Sequence, residues 1–199
     1  MKELLITSSR ARPARHIAAL LVGFGLAAVS AGCGTDLVGP AAAGPSGPAV
    51  VQPAELDDRT LPPWPAPADV TARVAAAGLD LGPMGTAEHY HPNLTILIDG
   101  QPVPVTPNIG VDPTTGAMSA VHTHEGDGTI HIEADTVGER FTLGQLFTQW
   151  GVKLTTSQIG GVRAGDGEQV RLASNGTPVT GDPAALRLEP EQKIVLELS

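Results

Sequence analysis

Apolar residues recur at every second position through Leu94, Ile96 and Ile98, and Asp99-Gly100 separates them from Gln101–Val105. This alternation predicts a half-buried strand, and Asp-Gly supplies the positive backbone angles of a two-residue hairpin turn. Pro102 and Pro104 lack an amide donor, so the returning strand is expected at a sheet edge. A second hairpin is predicted from about Met118 to His124, turning through Glu125-Gly-Asp-Gly128 and returning along Thr129 to Ala134. Asn175-Gly176 marks a third hairpin, and Lys193–Leu198 alternates as a closing strand.

The period changes after Phe141. Leu143, Leu146, Phe147 and Trp150 fall at i, i+3, i+4 and i+7, which predicts a helix with one apolar stripe packed in the core. Thr142 and Gln145 form a capping box, Phe141 and Leu146 take the staple positions, and Gly151 ends the helix. A shorter helix is expected in VTARVAAAG, closed by Gly78. Strands, a helix and more strands argue for an α+β domain: a small, mainly antiparallel sheet built from hairpins, with one well-capped helix.

The beginning of the chain reads differently. Arg10, Arg12, Arg15 and His16 precede an uncharged apolar run from Ile17 to Ala28, followed by Ser30-Ala31-Gly32 and Cys33. A stretch this short, ending in small residues, reads as a cleaved secretory signal rather than a spanning helix. The Ser-Ala-Gly-Cys ending resembles a bacterial lipoprotein signal, which implies acylation of Cys33 and a mature chain that begins there. From Gly34 to about Ala68, proline recurs at 40, 45, 48, 53, 62, 63, 65 and 67 among Ala and Gly, so a disordered, partly stiff tether is expected. Trp64 either docks on the domain or decorates the tether. The organisation is therefore a signal peptide over 1–32, a lipid-anchored Pro/Ala/Gly-rich linker over 33–68, and a histidine-containing domain over 69–199.

Composition narrows the chemistry. Cys33 is the sole cysteine, which excludes an internal disulfide framework, a multi-thiolate metal site and a type 1 copper centre in the domain. The chain carries 12 Lys+Arg against 21 Asp+Glu, a net charge of −9. Without Lys2, Arg10, Arg12, Arg15 and Glu3, which lie in the signal, 8 basic and 20 acidic residues remain, a net −12. Nucleic acid is excluded as a partner on these grounds, and cations are favoured. Ser119 and Ser174 lie outside any nucleophile-elbow context, and Gly160-Gly161 lacks the lysine and helix of a phosphate loop.

Apart from His16, every histidine lies between positions 89 and 131, as His89-Tyr-His91, His122-Thr-His124 and His131. Residues two apart in a strand project from one face, so each His-x-His sets two imidazoles side by side. If the Glu125–Gly128 turn leaves residues 124 and 129 opposed, His122 faces His131 and all three rings share a face. Val121, Thr123, Ile130 and Ile132 then form the core face. Leu94, Ile96 and Ile98 share one parity and His89 and His91 the other, so these two rings are candidates to complete the shell. Imidazole suits Cu2+ and Zn2+ alike. Glu88, Glu125, Glu133 and Asp135 are the nearby carboxylates, with Glu133 on the face of His131 and placed to ligate or to orient an imidazole.

The segments HYHPNLTILIDGQPV, HTHEGDGTIHIE and FTLGQLFTQWGV, with the closing NGTPV and LRLEPEQKIVLEL, resemble a group of exported prokaryotic proteins of uncharacterised function. The resemblance covers about residues 88–199 and implies a domain of this extent and a metal role, without an activity. A His-x-His strand with a third histidine on its neighbour is also similar in geometry to the zinc triad of α-carbonic anhydrases, but the chain is too short for that fold.

The expected function is that of an exported, lipid-anchored protein at the cell membrane or outer envelope that captures, buffers or transfers copper or zinc. Two alternatives remain open on the sequence. One is a zinc-dependent hydrolase with a three-histidine site and Glu133 or Glu125 as base; the other is a metal-free module that binds an envelope protein.

Overall fold

The computed structural model describes residues 55–199. The expected signal peptide, Cys33 and the first part of the tether lie outside the described residues.

The elements follow the hydrophobic pattern. Helix α1 spans Val70–Ala76, and strands β1, β2 and β3 span Glu88–Tyr90, Asn93–Ile98 and Gln101–Val103. Strands β4 and β5 cover Val121–His122 and His131–Ala134, and α2 runs over Leu143–Trp150. Three short strands follow, β6 (Leu154–Thr155), β7 (Gln158–Ile159) and β8 (Val162–Arg163). Then come β9 (Arg171–Ser174), β10 (Thr177–Val179), a 3-10 turn at Pro183–Ala185 and β11 (Lys193–Leu198). The described residues are mainly β with two α-helices, in the α+β class expected.

Each predicted hairpin is present. At the β2–β3 turn Asp99 and Gly100 have φ of 50° and 71°, and Asn175 and Gly176 at the β9–β10 turn have 51° and 78°. Strand β3 lies at the edge of the five-stranded sheet β10-β9-β11-β2-β3, where Pro102 leaves no ladder bond unmade. The closing strand β11 lies between β9 and β2 and runs parallel to β2, from Lys193 beside Asn93 to Leu198 beside Ile98. Every other strand pair is antiparallel.

In α2 the Thr142 hydroxyl accepts from the Gln145 amide, the Gln145 side chain accepts from the Thr142 amide, and Gly151 ends the helix in the left-handed region. Its stripe of Leu143, Leu146, Phe147 and Trp150 is fully buried with Leu94, Ile96, Leu172, Ile194 and Leu196 of the large sheet. Each such side chain contributes about 1.5–3 kcal/mol of burial free energy.

The packed body begins before the boundary expected at Asp69. Asp57 bridges to Val152, and its backbone amide donates to the Gly151 carbonyl at 2.7 Å. Trp64 is buried edge-on against Trp150, ring centroids 5.7 Å apart, with its indole N–H on the Thr60 carbonyl at 2.8 Å. The proline-rich stretch from 55 to 68 is thus part of the domain surface rather than tether. The buried indole acts together with the Asp57–Val152 bridge and the Gly161 amide, which donates to the Thr60 carbonyl at 2.9 Å, to offset the ordering of a segment already stiffened by proline.

Candidate metal centre

Three strands bring the histidines together. Strand β5 lies between β1 and β4, with His122 opposite His131 on one side and His89 opposite Glu133 on the other. The pairing expected from the turn is the one found. The Tyr90–Ile132 and Asn93–Thr129 pairs share one register, which sets His91 opposite His131. His91, His131 and His122 therefore form a row across three strands, with His89 and Glu133 one step along on the same face.

The core face fixes the strands from below. Val121, Thr123, Ile130 and Ile132 are all fully buried. Thr123 is held on both sides: its hydroxyl donates to the Thr106 carbonyl at 2.9 Å and accepts from the Ile109 amide at 3.1 Å. Gly128 brings the hairpin turn onto β2, where its carbonyl accepts from the Leu94 amide at 2.8 Å. Its φ is 88°, and a Cβ there would collide with the Leu94 carbonyl oxygen, so this approach requires glycine.

The rings converge by nitrogen. His89 Nε2 and His91 Nε2 are 2.9 Å apart, and His122 Nε2 and His124 Nε2 are 3.1 Å apart. His131 lies between the pairs, with ring centroids 4.6 Å from His91, 4.7 Å from His124 and 5.3 Å from His122. Two sets of three have ligand atoms mutually within 4.8 Å: His89, His91 and His131, and His122, His124 and His131.

The deepest ring is also the most defined. His122 is fully buried, and its Nδ1–H donates to the Ser119 carbonyl at 2.8 Å. That bond leaves the Nε2 lone pair free to point into the cluster, the arrangement by which ligating histidines are usually oriented. His124 must then donate its Nε2–H to His122 while the site holds no ion. Burial holds His122 down to about 4, and burial followed by the neighbouring His131 and His89 lowers His91, so both are neutral at pH 7. Ser119 was not foreseen as part of the site. Its hydroxyl bonds the Val121 amide and carbonyl in a tight turn, and the Ser-x-x-His spacing is the only trace of this in the sequence.

Two of the four expected carboxylates reach the rings. Glu133 Oε1 is 3.4 Å from His89 Nε2, and Glu125 Oε2 is 3.4 Å from His131 Nε2. Glu133 Oε2 is buried with no hydrogen-bond partner, on a side chain that is only 9% exposed. Glu88 precedes His89 in an extended strand and so projects to the other face. Asp135 follows the end of β5, is exposed, and lines a cavity of about 320 Å³ with Glu133, Asp80 and Glu139. Neither Glu88 nor Asp135 bonds an imidazole.

Comparison with family models, with curated proteins and with solved structures finds no match for this chain. The functional reading therefore stands on the geometry of these side chains.

Proposed function

We propose that the protein is an exported, lipid-anchored binder of a divalent transition-metal ion, which it captures or transfers through the five-histidine cluster. The carrying observation is the pair of Nε2–Nε2 approaches at 2.9 and 3.1 Å around His131. Nitrogen lone pairs this close repel unless a proton or a metal ion lies between them. The fixed tautomer of His122 and the neutral state of His122 and His91 supply ligands without first having to lose protons.

The spacing bears on metal type. Two nitrogens about 2.0–2.1 Å from one ion stand about 2.9 Å apart at right angles and about 3.3 Å apart in a tetrahedron. The 2.9 Å pair of His89 and His91 matches the right-angled value of tetragonal Cu2+, and the 3.1 Å pair of His122 and His124 lies midway between the two geometries. Cu2+ is also preferred at nitrogen-rich sites by affinity order. Glu133 supports a cation beside His89 and His91, because a buried carboxylate oxygen without a partner is otherwise costly.

Export and anchoring rest on the sequence of residues 1–33, and the net −12 of the chain after them suits a partner that is a cation. Among the described residues no helix is long and apolar enough to cross a membrane. The test is elemental analysis of natively purified, tag-free protein together with the intact mass of its N-terminus. About one equivalent of copper or zinc, and an acylated chain beginning at Cys33, are expected. Metal-free protein that takes up no added Cu2+ or Zn2+ overturns the metal reading, and an unmodified Cys33 overturns the anchor.

A further inference from the structure

His131 belongs to both sets of three ligands, whereas each of the other four histidines belongs to one. A neutral imidazole has one nitrogen lone pair, since its other nitrogen carries the proton. It can complete only one set at a time. From this, and resting on the metal reading above, we infer that the cluster is a two-position relay for a single ion, with His131 as the ligand common to both positions.

The positions differ in access. The outer one is formed by His89 and His91 on β1 and its exposed continuation, with the His89 side chain 57% exposed and Glu133 beside it. The inner one is formed by His122, out of contact with solvent, and His124, which is exposed, so its one sealed ligand is His122. An ion arrives at His89 and His91 and stays bound to His131 as the first pair lets go and the second takes hold. In the empty inner pair, His124 Nε2–H donates to His122. Arrival of the ion moves that proton to His124 Nδ1 through solvent, and the vacated outer pair regains its own N–H···N bond by the reverse shift. No net proton is gained or lost in the transfer. Glu133 near the outer position and Glu125 near the shared His131 offset the charge of the ion at the start and the middle of the path.

The relay predicts a stoichiometry and a rate. Full-length tag-free protein is loaded with excess Cu2+, exchanged into metal-free buffer, and examined by native mass spectrometry. Release to EDTA is then followed by stopped flow. One retained ion per chain is expected. The His89→Ala/His91→Ala variant should still retain one ion but load and release it more slowly than wild type, because exchange is then left to His124 as the one exposed ligand. The His122→Ala/His124→Ala variant should load as fast as wild type and release faster. The first variant alters a solvent-facing pair, so the experiment does not depend on the buried variant folding. Two ions retained with similar affinity, or wild-type exchange in the outer-pair variant, overturn the relay while leaving the metal site intact. Wild-type protein that binds no Cu2+ overturns both.

Discussion

His122 and His131 face each other across the β4–β5 pair, their ring planes 16° apart and their centroids 5.3 Å apart. One ring is sealed from solvent and the other is shared with a second pair of histidines, so the stack links the interior of the site to its surface. Burial of His122 has a direct cost in acid. Its imidazole is held to about 4 in the fold, against about 6.5 in an unfolded chain. Between these values the unfolded chain binds the additional proton, so stability falls as pH drops through this window and levels off below it. The loss is on the order of 3 kcal/mol across the window. Urea unfolding of metal-free protein at pH 7, 5.5 and 4.5 measures it. The same slope in His122→Leu would assign the effect elsewhere.

Glu133 separates a structural role from a metal role. Its Oε2 has no partner in the fold, and Oε1 faces His89. Glu133→Gln should leave metal-free stability unchanged or slightly higher, because a buried unpaired carboxylate oxygen is removed. Affinity for Cu2+ should fall by about tenfold, the usual scale for losing a carboxylate that supports a ligating histidine. Thermal unfolding and a competitive Cu2+ titration of the same variant read the two effects separately.

The turn that brings the strands together is equally testable. Gly128→Ala places a Cβ against the Leu94 carbonyl at a φ of 88° and should cost about 3 kcal/mol or more. His91 reaches the cluster through this contact, so Cu2+ affinity in the folded fraction should also drop. Gly116 has a φ of 75° but open space around it, and Gly116→Ala should cost only the backbone strain, about 1 kcal/mol.

Much of the site was legible because strand parity and turn length are local. Two His-x-His pairs and a four-residue turn were enough to set His122 against His131, and the capping box of α2 was readable from Thr142 and Gln145. The pairing of β1 with β5 was not, since it joins residues more than forty positions apart through Pro92 and Gly128. Nor was the parallel pairing of β11 with β2, because an alternating strand carries no mark of its neighbour's direction. The docking of Trp64 was hidden by its proline-rich surroundings, whose composition describes a free chain better than one pinned by a buried indole and a short backbone bridge.

That pinning predicts a further result. Trp64→Ala should destabilise the domain by about 3–5 kcal/mol, as loss of a buried aromatic core residue does. A chain starting at residue 69 should be destabilised at least as much relative to one starting at residue 55. Chemical denaturation of the three proteins provides the comparison, and a wild-type midpoint for the shorter chain would return residues 55–68 to the tether.

The convergence of the imidazoles on one ion is tested most directly by calorimetric titration of tag-free protein with Cu2+ and Zn2+, beside the His122→Ala/His124→Ala variant. The account predicts saturable binding at about one ion per chain at pH 7, weakening as the pH is lowered and protons compete for the ligand nitrogens, and a loss of affinity of about a hundredfold in the double variant. Binding of undiminished affinity in a folded double variant would contradict it.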